Sequence, residues 1–187
     1  IDATIAYIDD NNISIRELTR IIKGPDFPTG AIITGNSEIE QIYQTGKGKI
    51  VIRAKTNIIE KSNGRSAIEI TEIPYMVNKA EMIKNIAEHV KNGVITGISD
   101  IRDESDIEGM RIMIECKKDS NPNVILNKLF TYTELQTNFS VIMIALVDGR
   151  PRTLSIKEIT SDEIARIKLI ASMYFLVHSF CHLLVEA

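Results

Sequence analysis

Apolar residues recur along this chain with two different periods, and the switches between them mark out its elements. Residues 1 to 22 are isoleucine-rich with helical spacing, and Asp10, Asn11 and Asn12 break them into two short pieces. The stretch from Lys23 to Gly30 holds Gly24, Pro25, Pro28 and Gly30. Such a stretch can be neither helix nor central strand, so it marks a junction. From Gly46 the pattern becomes regular: residues 49 to 55 alternate as a strand and 66 to 73 as a second, with Ser62-Asn63-Gly64-Arg65 as the connecting turn.

Asn78-Lys79-Ala80-Glu81 resembles a capping box and opens a helix. Its buried stripe is predicted at Ile83, Ile86, Ala87 and Val90, and Gly93 ends it. Strands are expected near 97 to 103 and at 110 to 117, the latter with Met110, Ile112, Ile114 and Cys116 on one face. Asn121-Pro122 supplies a cap and a first-turn proline for a second helix, with Ile125, Leu126, Leu129 and Phe130 inward. Residues 139 to 147 are apolar except for Ser140, Asp148-Gly149 turns the chain, and Ser155-Ile156-Lys157-Glu158 offers another capping box. This order predicts an α+β fold, a largely antiparallel sheet flanked by helices. Neither internal repeats nor low-complexity tracts occur.

The tail from Ile167 to Val185 is apolar on every side of a helix. A membrane span needs about 20 apolar residues, and Lys168, His178, Ser179 and His182 interrupt this one. It reads as a buried or partner-facing helix, with no membrane partner expected. The first residue, Ile1, implies a piece excised from a longer protein.

Composition adds little: 44% hydrophobic and 25% charged residues are ordinary for a globular protein. A net charge of -3 argues against a compact, wholly basic nucleic-acid module and leaves local patches open. Cys116 and Cys181 lie far apart without metal-type spacing, which fits a reduced, cytoplasmic setting.

The most informative segment chemically is GKGKIVIRAK, residues 46 to 55. With a strand's period of two, Lys47, Lys49, Arg53 and Lys55 share a face with Val51, opposite Ile50, Ile52 and Ala54. No acid occurs between Gln41 and Ile59 to neutralise that face locally. Alternate side chains sit roughly 6–7 Å apart, a spacing suited to backbone phosphates, which advance about 3.4 Å per residue. Two readings follow from the pattern: a phosphate-contacting ribbon, or a solvated face whose lysines guard a sheet edge. Lys79, Lys84 and Lys91 lie outside the apolar stripe of their helix as ordinary solubilising charges.

Catalytic signals are missing. Glycines 46 and 48 lack the spacing of a nucleotide phosphate loop. The cluster Asp100, Asp103, Glu104, Asp106 and Glu108 fails the calcium-loop pattern, and Arg102 and Arg111 nearby point to ion pairs instead. His89, His178 and His182 show no zinc spacing with the cysteines. No nucleophile elbow or triad is recognisable. A binding or mechanical module is expected, with no catalytic and no metal-ligating residues.

Several stretches taken together resemble the A subunit of bacterial DNA gyrase and its topoisomerase IV relative. They are IKGPDFPTGAIITG, YQTGKGKIVIRAK, ITEIPYMVNKAEMIKNIAEHV, GISDIRDESDIEGMRIMIE and LQTNFSVIMIALVDGRPRTLSIKE, in order and with family spacing; GRPRTLSIKE leans towards gyrase. The resemblance implies a piece of a type IIA topoisomerase, which cuts one duplex, passes another through and reseals it. Residues 1–30 would be a helical segment and junction from an upstream winged-helix region. Residues 31–154 would be the tower domain supporting the arms of the cut duplex, and 155–187 a helical tail towards the exit gate. The basic face then becomes a contact for double-stranded DNA, and Lys79, in the VNKA motif, joins Lys47, Lys49, Arg53 and Lys55. The implied partners are the gyrase B subunit, which carries Mg2+ and ATP, and a second A subunit in an A2B2 holoenzyme. The family's cleaving tyrosine follows an arginine in the upstream domain. Tyr132 follows Thr131 and reads as structural, so the chain alone should be inactive. Residues 161–187 depart from the charged helix of the family at this place. A scaffold joining the cleavage core to partner subunits is the alternative role.

Overall fold

The computed structural model describes residues 1–61, 64–107, 109–147, 149–162 and 164. The fold is α+β with antiparallel pairings, as the order of patterns predicted. Its described residues divide into two compact units built from non-contiguous segments, the first of 1–24, 36–49 and 140 onwards, the second of 25–35 and 50–139.

In the first unit, α1 (Asp2–Asp9) and α2 (Ile15–Ile21) are the two expected short helices. The Asp10 carboxylate accepts the Asn12 N–H at 2.8 Å in the break between them. Ser14 and Glu17 cap α2 reciprocally, side chain to backbone in both directions, and Leu18 is fully buried beneath it. Helix α3 (Asn36–Thr45) buries Ile39, Ile42 and Tyr43 and packs against α2. Strands β8 (Ile144–Val147) and β9 (Arg150–Thr153) pair antiparallel. A final helix over 156–162 follows, capped as expected: Glu158 accepts the Ser155 N–H at 2.7 Å while Ser155 Oγ accepts the Glu158 N–H at 3.2 Å.

The second unit holds the main core. Strands β3 (Lys55–Glu60), β4 (Ser66–Glu72), β5 (Ile98–Asp103) and β6 (Ile112–Cys116) form a sheet in the order β3-β4-β6-β5. Ile68 faces Ile114 and Ile70 faces Ile112 across β4 and β6, so even-numbered side chains fill one face. Helices α4 (Lys79–Lys91) and α5 (Pro122–Tyr132) bring Met82, Ile86, Ile125 and Leu129 into that core. Full burial of each such side chain is worth about 1.5–3 kcal/mol relative to exposure. Asn78 and Asn121 cap these helices through their side-chain oxygens. Cys116 closes the core at the end of β6, and burial pushes its thiol pKa up. Strand β1 (Ile32–Thr34) pairs with β2 (Lys47–Arg53), which also neighbours β7 (Gln136–Ile142); the unit boundary falls within β2 and β7.

Three expectations need correction. The strand expected over 49 to 55 is interrupted: β2 ends at Arg53, the Ala54 N–H turns to the Leu135 carbonyl at 2.7 Å, and β3 starts at Lys55. The hairpin partner of β4 is therefore β3, with a register shift between Lys55 and Thr56. Ala87 is exposed and Met82 takes its place in the buried stripe, because Ala87 lies about 100° round the helix beyond Ile86. The apolar run over 139 to 147 is split at Met143, whose N–H and carbonyl bond to Gly46 and Leu154. The turn residues Ser62, Asn63 and Asp148, the acid Glu108 and the tail from 165 lie outside the described residues. Among the described residues no helix is long and apolar enough to cross a membrane.

Candidate nucleic-acid interface

In the first unit, the path from α3 into β2 fixes where Lys47 and Lys49 point. Thr45 Oγ1 donates to the Gln41 carbonyl at 2.9 Å and lies 2.8 Å from the Lys47 carbonyl, at the junction of helix and strand. Gly46 turns the chain with φ +75, and a Cβ there would collide with the Leu154 carbonyl. The space a Cβ would take on Gly48 is filled by the Ile42 side chain, 2.5 Å from the ideal position. Gly48 thus faces α3, and strand alternation turns Lys47 and Lys49 to the other side, where both are exposed. Among the described residues neither ammonium has an ion-pair partner.

In the second unit the other predicted cations are engaged within the fold. Arg53 donates Nε and Nη2 to Gln136 Oε1 at 2.9 and 2.6 Å. Its guanidinium carbon also sits 4.6 Å from the Phe130 ring centroid, a cation–π contact. Lys55 lies on β3, in a different sheet from Arg53 on β2, and its ammonium bonds Glu72 Oε1 at 2.9 Å. That bond, followed by the Ala31 N–H, holds the Glu72 carboxyl below its usual pKa. Lys79 opens α4 with its ammonium 2.7 Å from Asp103 Oδ2 and 3.1 Å from Ser105 Oγ. The Lys79 and Ser105 hydrogen bonds together lower the Asp103 pKa to about 2. The single basic face expected from the alternation is therefore not one row of free charges.

The acidic segment is organised by arginines, as its composition indicated. Arg102 pairs with Asp100, Glu104 and Glu115, and Arg111 bonds Glu69 at 2.8 Å and reaches Glu104 at 3.9 Å. Lys61 adds a 2.7 Å bond to Glu115 and is the largest cause of that carboxyl's lowered pKa. Among the described residues no group of three His, Cys, Asp or Glu could hold a metal ion. Tyr132 ends α5 half-exposed, its ring centroid 6.5 Å from that of His89.

One basic cluster escaped the sequence reading. Arg16, Arg20 and Lys23 line a cleft of about 430 Å³ in the first unit, with Thr19 on the same helix and Ile39 and Glu40 from α3. The legible signal was the spacing of four between Arg16 and Arg20, which places them on one helix face.

Comparison with known proteins agrees with these motifs. Residues 1–172 match the family model for the A subunit of DNA gyrase and topoisomerase IV. The DNA gyrase A subunit of Rickettsia typhi is 54% identical over 159 residues, 85% of this chain and 18% of the relative. Its counterpart in Clostridium acetobutylicum is 54% identical over 159 residues, 85% and 19% of the two chains. That of Buchnera aphidicola is 53% identical over 160 residues, again 85% and 19%. The chain spans less than a fifth of the length of these curated relatives. A match running through nearly every described element shows that this chain belongs to the family of DNA gyrase and topoisomerase IV A subunits.

Proposed function

We propose that this chain is the tower-domain segment of a gyrase-type type II topoisomerase, a non-catalytic support that contacts the phosphates of cleaved duplex arms during ATP-dependent strand passage. The observation that carries this reading is the pair Lys47 and Lys49, aimed outward by Gly46 and Gly48 and free of intramolecular partners among the described residues, in a chain of this family. Such cations hold a duplex by position and charge without reading its sequence. Arg53, Lys55 and Lys79 join them only by exchanging Gln136, Glu72 and Asp103 for phosphate. In the holoenzyme the B subunit supplies Mg2+ and ATP, a second A subunit completes an A2B2 assembly, and the setting is the cytoplasm.

The test is duplex binding by the whole chain across a salt series. Affinity should fall with salt with a log–log slope of about 0.9 per phosphate contacted. Lys47→Gln together with Lys49→Gln should flatten that slope equally for unrelated sequences. An unchanged slope overturns the assignment of these lysines.

A scaffold role is the second reading, and it has its own observation: Arg53, Lys55 and Lys79 already serve the fold through internal bonds. Binding to the B subunit with no retardation of any duplex at low salt would decide for it.

A further inference from the structure

The cleft between α2 and α3 presents cations that nothing in the described fold engages. Arg16 and Arg20 stand one helical turn apart, Lys23 follows just beyond the helix end, and all three are exposed. By contrast, Arg53 is bonded to Gln136, Arg102 to Asp100, Glu104 and Glu115, and Arg111 to Glu69. Glu17, the acid beside Arg16, is occupied by the Ser14 N–H and hydroxyl. Arg20 acts on it only through space. The Thr19 hydroxyl spends its proton on the Ile15 carbonyl at 2.8 Å, which leaves charge, not hydroxyl donation, as the chemistry of this lining.

We propose that this cleft receives a backbone phosphate of duplex nucleic acid, held by Arg16, Arg20 and Lys23. The proposal rests on the nucleic-acid reading above and adds a site distinct in its residues from the basic strand. Guanidinium groups offer forked donors that match phosphate oxygens, which a lysine cannot do alone. The buried side chain of Ile39 lines the cleft with apolar surface that strengthens charge interactions there. Glu40 is the opposing charge on the lining and weakens anion binding. The open cleft holds phosphate from outside and offers no reader of base edges, so it contributes affinity without sequence preference.

The experiment is fluorescence anisotropy of a labelled duplex with the whole 187-residue chain over a salt series. Arg16→Gln with Arg20→Gln keeps the Ser14–Glu17 cap and buried Leu18, and circular dichroism checks that the helices persist. The expected result is a slope shallower by about 0.9 for each phosphate the variant no longer neutralises. Glu40→Gln, which breaks no side-chain hydrogen bond or ion pair among the described residues, should raise affinity severalfold. An unchanged slope in the double variant, or no gain with Glu40→Gln, overturns the proposal. Displacement of duplex by a polyglutamate peptide as effective as by unlabelled duplex would also overturn it, in favour of an acidic-peptide site. Lys47→Gln with Lys49→Gln is run in parallel. Loss of slope only in that pair leaves the strand reading standing and removes the cleft; loss only in the arginine pair does the reverse.

Discussion

The Lys79 ammonium stands 2.7 Å from Asp103 Oδ2, tying the first residue of α4 to the last residue of β5. The contact explains how a lysine singled out as a nucleic-acid ligand also serves the fold. It fixes the entry of the helix against an edge strand, and it neutralises the charge that a phosphate would otherwise meet.

The pKa of Asp103 should therefore be found at about 2 in the folded chain, against an ordinary value of 3.8. A folded value below the unfolded one means stability that is complete above the unfolded pKa and is lost as pH falls through the folded one. The window lies between about pH 4 and pH 2. Carbon NMR titration of the Asp103 carboxyl reads the value directly. Lys79→Met should move it up towards 3.8, and an unmoved titration would assign the shift to Ser105 instead.

Ile114→Ala should destabilise the second unit by about 2–5 kcal/mol, since Ile114 is fully buried opposite Ile68 and beneath both helices. Urea unfolding followed through helix content should show a lower midpoint with an unchanged slope. A loss under about 1 kcal/mol would mean that the core packs differently at this point.

Gly46→Ala should cost more than Gly93→Ala. Both have φ near +75 in the left-handed region, which costs a non-glycine residue about 1–2 kcal/mol. Only at Gly46 does the added carbon also meet a backbone carbonyl, that of Leu154; at Gly93 nothing lies within 4 Å. Equal melting temperatures for the two variants would refute the steric part of the argument.

Asn78→Ala should cost about 1 kcal/mol, because the Asn78 side chain accepts the Glu81 N–H at 3.2 Å and so satisfies a helix-start donor. Asn78→Asp should recover most of it, an aspartate being an equal cap and favoured by the helix dipole. Chemical denaturation of the pair of variants checks the order.

What was legible in the sequence was what depends on near neighbours. Asn78, Asn121 and Ser155 cap helices as their local sequence requires, and Ile112, Ile114 and Cys116 share a buried face. The break at Ala54 was not legible, because the alternation runs unbroken through it with no glycine or proline to mark the change of sheet. Nor was neutralisation of the basic face. Lys55 meets Glu72, 17 positions on, and Lys79 meets Asp103 from the neighbouring strand. A local count of acids sees neither. Helix α3 was passed over although it orients Lys47 and Lys49 through Gly48. Arg16 and Arg20 belong to a cleft that exists only once α2 lies on α3.

Cys116, shut into the main core with its thiol held protonated, is in effect a clock built into the second unit. A thiol reagent needs the exposed thiolate, so it can strike Cys116 only when β6 parts from its helices. The rate of labelling then counts those openings against time. Each variant that loosens this core should make the clock run faster, while changes confined to Lys47, Lys49, Arg16 and Arg20, unpaired among the described residues, should leave its pace untouched.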